Sequence, residues 1–205
     1  FVDGHTLTPE DVRMSERRDA IVALLRACHH TLARHLDGPV QMFWVFQVIH
    51  NYLRTLEHLA PGLGQGKLQA WAAMSDVLAR AVGPVDIVFG HNDLLAGNLI
   101  DDGNRLWLID WEYAGFNSPL FDLANLAINN QFDHAQCQDL LERYCRQPAD
   151  ARCWRAFQAM RCASALRETL WGLVSEHNSA VAFDHAAYAQ RWQSTLDDAW
   201  QAFNR

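Results

Sequence analysis

His91-Asn92-Asp93-Leu94-Leu95-Ala96-Gly97-Asn98 is the stretch on which the reading of this chain turns. Asp110 stands twelve residues after Asn98, at the end of the apolar run Leu106 to Ile109. The pattern is H-x-D-x-x-x-x-N, a strand, then D, and each spacing suits a task. A loop between strands can aim Asp93 at a bound hydroxyl, where a carboxylate accepts a proton or orients the nucleophile. Asn98 offers a neutral oxygen to Mg²⁺, and Asp110 brings a charged oxygen to the same ion from the neighbouring strand. Hard oxygen ligands completed by phosphate oxygens and water form half of a phosphoryl-transfer site. Taken singly, Asp93 and Asn98 also suit plain turns, and Asp110 a strand end. The whole series favours the site: the loop, the Asp101-Asp102-Gly103-Asn104 turn, the strand, and Asp110 to Gly115, in one order.

Outward from that stretch, the texture is helical. Thr8-Pro9-Glu10-Asp11 reads as a helix start, with Thr8 as cap and Pro9 at the first position, and predicts a helix to about Leu32. Pro39 opens a second predicted helix and Leu68 to Val82 a third. Short strands follow at Val85–Phe89, Asn98–Ile100 and Leu106–Ile109, the last two joined by hairpin chemistry at Asp102-Gly103. Helices resume at Leu120–Ile128, Ala135–Tyr144, about Asp150–Glu176, and Ala186–Phe203. Phe1-Val2-Asp3-Gly4 reads as a strand end or connector. The fold class is α+β, a helical body interrupted once by a small β element that carries the chemistry.

The 205 residues are 50% hydrophobic and 20% charged, which suits a globular core rather than a disordered chain. Seventeen Lys and Arg against 24 Asp and Glu leave a net charge of −7. Such a chain lacks the cationic surface that duplex nucleic acid or anionic lipid requires, so neither is expected as a partner. No apolar run approaches the ~18 residues of a membrane span, and no signal segment opens the chain. Five cysteines without a C-x-x-C pair predict reduced thiols and a cytoplasmic location.

From Phe89 to Asn125 the chain closely resembles the choline/ethanolamine kinase branch of the aminoglycoside-phosphotransferase-like kinases. The residues that carry the resemblance are His91 to Asn98, Asp110 to Gly115, and Phe121-Asp122-Leu123-Ala124-Asn125. It implies a protein-kinase-like C-terminal lobe and an ATP- and Mg²⁺-dependent kinase acting on the hydroxyl of a small cationic alcohol. Asp93 would be the catalytic base, with His91 bracing the loop. Asn98 and Asp110 would hold Mg²⁺, with Glu112 behind the metal, and Asp122 would tie the loop backbone in place. Trp171, Phe183 and Tyr188 match the aromatic cage of the family's late helices, where a quaternary ammonium binds by cation–π attraction. Each of these rings also fits ordinary core packing. Two positions depart from the family: Asn129 stands where choline kinases place a carboxylate, and Val174 where they place a second cage tryptophan. Glu176 is a candidate to compensate.

The resemblance also implies a front lobe before Phe1, carrying a phosphate-covering loop and a lysine, and normally supplied in cis. Lys67 is the only lysine. It follows Gly62-Leu63-Gly64-Gln65-Gly66, whose glycine spacing is one short of a P-loop and whose lysine has no following Ser or Thr. That string therefore reads as a helix connector. This chain alone is expected to turn over little. Thiamine kinase, aminoglycoside phosphotransferase and a non-catalytic kinase-like binding lobe are the competing functions. His29-His30, His35, His50 and His58 form no zinc spacing with Cys or carboxylates and read as surface or capping residues.

Overall fold

Thr8 starts the first helix as its spacing predicts. The Thr8 hydroxyl accepts the Asp11 N–H at 3.2 Å, and the Asp11 carboxylate accepts the Thr8 N–H at 2.9 Å. In the computed structural model, which describes residues 2–179 and 182–205, this helix is α1, Pro9–Arg13. Met14 then turns extended, and α2 runs Ser15–His30. The single helix expected to Leu32 is therefore two helices. Neither glycine nor proline marks the break; contacts distant in sequence hold it. The Arg13 carbonyl accepts Arg18 Nη2 at 2.8 Å and Gln136 Nε2 at 3.4 Å, and Arg13 Nη1 donates to the Asn130 carbonyl at 2.9 Å.

The chain forms two compact units. The first comprises the residues up to Phe43 together with Val85–Trp154. Besides α1 and α2 it holds β1 His5–Thr6, β2 Val88–Gly90, β3 Leu99–Asp101, β4 Leu106–Leu108 and β5 Gly115–Asn117. It also holds α5 Pro119–Asn129 and α6 His134–Cys145, the intervening α3 Val45–Leu59 and α4 Gln65–Val82 belonging to the second unit. One antiparallel sheet has the order β1-β3-β4, with Leu99 opposite Leu108. The second is the antiparallel pair β2-β5. β1 and β5 escape the sequence reading because each is short and gains its partner from far along the chain. Val85 to Ile87 stay outside β2, and Asn98 lies in a 3-10 turn, Ala96–Asn98, just before β3.

No helix begins at Pro39. Gln41 to Phe43 run extended beside β5 instead, with Phe43 N–H donating to Phe116 O at 2.8 Å and Phe116 N–H to Gln41 O at 2.9 Å. A Cβ on Gly115 would stand 2.7 Å from the Gln41 carbonyl oxygen, so this close approach requires glycine. Ile21, Leu25, Leu99, Phe121, Leu140 and Leu141 are fully buried in this unit.

The second unit comprises Trp44–Pro84 and Arg155–Arg205. It contains α3 Val45–Leu59, α4 Gln65–Val82, most of α7 Ala151–Asn178, and α8 His185–Phe203. α3 buries Ile49, Leu53 and Leu56, and α4 buries Leu68, Trp71 and Leu78, each at helical spacing. The glycine string between them is a 3-10 turn, Pro61–Leu63, running into α4. Lys67 Nζ sits 4.6 Å above the Trp71 ring, so the string is a helix connector. Among the described residues no helix is long and apolar enough to cross a membrane. The five cysteines are free thiols.

Candidate active site

The predicted loop is built by one buried carboxylate. Asp122, in the first turn of α5, is 1% exposed. Its Oδ2 accepts the His91 N–H at 2.8 Å and its Oδ1 the Asn92 N–H at 2.7 Å. His29 Nε2, from α2, lies 2.9 Å from the same Oδ2. Burial pushes the Asp122 pKa up most strongly, but the His29 contact and the two backbone N–H groups outweigh it and hold it below the ordinary aspartate value. Tyr144 Oη in turn stands 2.7 Å from His29 Nδ1. A helix, a loop and a second helix are thus joined at a single side chain.

Amide side chains complete the scaffold. Asn92 takes the left-handed conformation, φ +66°, which asparagine tolerates. Its Nδ2 donates to Tyr113 O at 3.0 Å, and its Oδ1 accepts from Asn117 Nδ2 at 3.2 Å. Asn125 Oδ1 accepts the Leu94 N–H at 2.5 Å, and Asn130 Nδ2 reaches Leu94 O at 3.3 Å. His91 is fully buried. Its Nε2 donates to Ile109 O at 2.9 Å, and its Nδ1 accepts the Asp93 N–H at 3.3 Å. The ring therefore links the loop to the strand that leads to Asp110. Trp111 packs edge-on against it, ring centres 4.9 Å apart.

Asp93 is half-buried at the head of this loop. Asn98 donates its Nδ2 to Asp93 O at 2.8 Å, which turns the nitrogen inward and leaves Oδ1 as the outward donor atom. The Ile109 N–H donates to Asn98 O at 3.0 Å, extending the β3-β4 register by one residue, so Asp110 follows directly after Asn98's partner. Asp110 is exposed with φ +62°, a conformation that concentrates at functional sites. An amide oxygen and one carboxylate fit a hard divalent cation that takes its remaining oxygens from phosphate and water. No group of three or more His, Cys, Asp or Glu side chains suited to a metal is present among the described residues. Glu112 is exposed beside Trp111.

Of the predicted substrate residues, Trp171, Phe183 and Tyr188 come together in the second unit. Trp171 and Tyr188 ring centres lie 5.2 Å apart, and Phe183 and Tyr188 5.7 Å apart. α7 and α8 come close enough for this at Gly172, where a Cβ would stand 3.0 Å from the Ala189 Cβ. His185 joins the group, 5.6 Å from Trp171 and 4.9 Å from Phe183. The Tyr188 hydroxyl donates to Glu168 Oε2 at 2.7 Å, and buried Glu168 is also ion-paired with Arg167. Burial, with that carboxylate beside it, pushes the Tyr188 pKa up. The Arg191 guanidinium lies 5.2 Å over the Tyr188 ring. Glu176 is exposed. Asn129, the last residue of α5, belongs to the other unit, and its amide atoms are buried without a hydrogen-bond partner.

His29, read from sequence as a surface or capping residue, is instead buried against Asp122, and the sequence reading missed Asn92, Asn117, Glu168 and His185. The signals for Glu168 and His185 are one turn before Trp171 and two residues after Phe183, positions that α7 and α8 bring onto the same cluster.

The sequence model of the choline/ethanolamine kinase family matches residues 1–141. The chain belongs to the choline/ethanolamine kinase family. Probable choline kinase 1 of Arabidopsis thaliana is 25% identical over 222 residues, covering 93% of this chain and 62% of that protein. Ethanolamine kinase 2 of Homo sapiens is 29% identical over 218 residues, covering 92% of this chain and 55% of that protein. The crystal structure of a choline/ethanolamine kinase family protein from Mesorhizobium loti superposes with a TM-score of 0.82 at 26% identity, covering 99% of this chain and 68% of that one. The chain thus spans a little over half the length of the curated relatives it matches.

Proposed function

We propose that this chain is the catalytic-loop lobe of an ATP- and Mg²⁺-dependent kinase that phosphorylates the hydroxyl of a small cationic alcohol of the choline or ethanolamine type. The observation that carries the reading is the Asp122 carboxylate holding both N–H groups at the head of the loop. It anchors the two residues that lead into Asp93, and Asn98 Nδ2 in turn holds the Asp93 carbonyl. Family membership supports the same reading.

Asp93 accepts the proton of the substrate hydroxyl, or orients it, as the oxygen attacks the γ-phosphorus and ADP leaves. His91 sets the angle of Asp93 by accepting its N–H, and does no proton transfer itself. Asn98 and Asp110 are the residues assigned to Mg²⁺, with Glu112 beside them. When bound, that ion neutralises charge developing on the phosphate oxygens. Trp171, Phe183 and Tyr188 are assigned to the cation of the substrate. The nucleotide lobe is assigned to sequence before Phe1, and the assembled enzyme to the cytoplasm.

The test is a coupled ADP-release assay on the full-length protein with choline, ethanolamine and thiamine. Saturable turnover of choline or ethanolamine, lost in Asp93→Asn, is expected. Binding without turnover in the full-length protein would make this a ligand-binding lobe instead.

A further inference from the structure

His185 has no role in the account so far, yet its environment is unusual. It is 8% exposed, and neither ring nitrogen has a hydrogen-bond partner. A buried imidazole always carries at least one polar atom that needs a partner, and leaving it unmet opposes folding. The ring stands edge-on to Trp171 and Phe183, interplanar angles 67° and 63°, within the aromatic cluster. The oxygens there are already engaged: the Tyr188 hydroxyl on Glu168, and Glu168 on Arg167. One face of Tyr188 is taken by Arg191. Trp192 Nε1, beside Tyr188, is also unpartnered but can only donate, so among the described residues of the cluster His185 offers the unused acceptor.

The two cations that the family's names suggest differ in that capacity. A quaternary ammonium has no N–H and is held by aromatic faces alone. A protonated primary amine has three N–H donors and is poorly served by rings unless an acceptor stands among them. Val174, one turn along α7 from Trp171, adds no aromatic face for three methyl groups.

We propose that His185 selects a protonated amine with N–H groups, such as ethanolamine, over a quaternary ammonium, such as choline. A His185 ring nitrogen accepts an ammonium N–H while Trp171 and Phe183 contact the rest of the cation. The proposal rests on the reading of the cluster as the cation site. A site built to hydrogen-bond an N–H discriminates strongly against an analogue that lacks it, because its polar atom is then left unpaired.

The experiment is steady-state kinetics of the full-length protein on ethanolamine, its mono- and dimethyl derivatives, and choline. Wild type is compared with His185→Phe, His185→Gln and Trp171→Ala, each checked for folding by circular dichroism. The expected result is a wild-type kcat/KM that falls as methyl groups replace N–H. In His185→Phe, the KM for ethanolamine rises by about tenfold to a hundredfold, the worth of one hydrogen bond to a charged group, while that for choline is unchanged or lower. His185→Gln, which restores an acceptor, recovers part of the preference. Equal effects of His185→Phe on both substrates, or none, overturn the proposal while a raised KM in Trp171→Ala still upholds the cation site. A Trp171→Ala variant with unchanged KM for every substrate overturns both.

Discussion

Asp122 is the residue on which the loop depends. It satisfies two backbone N–H groups and His29 from within the protein, so its removal leaves buried donors unpaired. Asp122→Ala is expected to lower unfolding free energy by about 3–5 kcal/mol in urea titration, the usual result of deleting one partner of a buried charged contact. The pH dependence follows from the direction of its pKa. The folded value lies below the ordinary one, so its contribution is complete above the unfolded value, about 3.9, and is lost as pH falls through the folded value. Wild type should therefore lose more stability than Asp122→Ala on acidification below pH ~4, read as the difference between their urea midpoints. Parallel curves would contradict this. A second residue-scale prediction concerns Cys145. The neighbouring Cys153 thiol outweighs burial and lowers the Cys145 pKa, while Cys153 is raised. Iodoacetamide at neutral pH should label Cys145 well before Cys153, read by peptide mass mapping, and Cys153→Ala should slow that labelling.

At the scale of elements, the sequence is most legible where local chemistry decides the outcome. Thr8-Pro9, the Asp102-Gly103 turn, the β3-β4 hairpin and the later helices all stand within a few residues of their expected bounds. It is least legible where distant contacts decide. The break at Met14 depends on Gln136 and Asn130, and the extended Gln41–Phe43 segment depends on β5. The site divides the same way. Asp93, Asn98 and Asp110 are readable as a series from their spacing around one β element, whereas Asp122, in the first turn of α5, is readable only through the family resemblance. His29 and His185 are not, because α2 and α8 bring them in. Gly115 tests the element-scale account. Gly115→Ala forces a Cβ toward Gln41 O and should cost about 1–3 kcal/mol of stability. A change under a few tenths would show that the Gln41–Phe43 segment is not fixed against β5.

For the molecule as a whole, the sequence contains one lysine, and the structure seats it over Trp71. On the function proposed above, the phosphate-gripping lysine is assigned to the proposed nucleotide lobe and not to Lys67. The isolated chain should fold, and release no ADP above background with ATP, Mg²⁺ and ethanolamine, whereas the full-length protein should release it at measurable rates. Comparable rates from both would overturn the assignment of the nucleotide lobe to upstream sequence.

The most direct measurement for the account is the kcat of full-length wild type and Asp93→Asn for ethanolamine and choline, at saturating ATP and Mg²⁺. The account predicts turnover by wild type and a loss of at least about a hundredfold in Asp93→Asn, within the range that a positioned general base supplies, with little change in substrate KM. A variant with wild-type kcat would contradict the role given to Asp93 and, with it, the reading of the loop as a phosphoryl-transfer site.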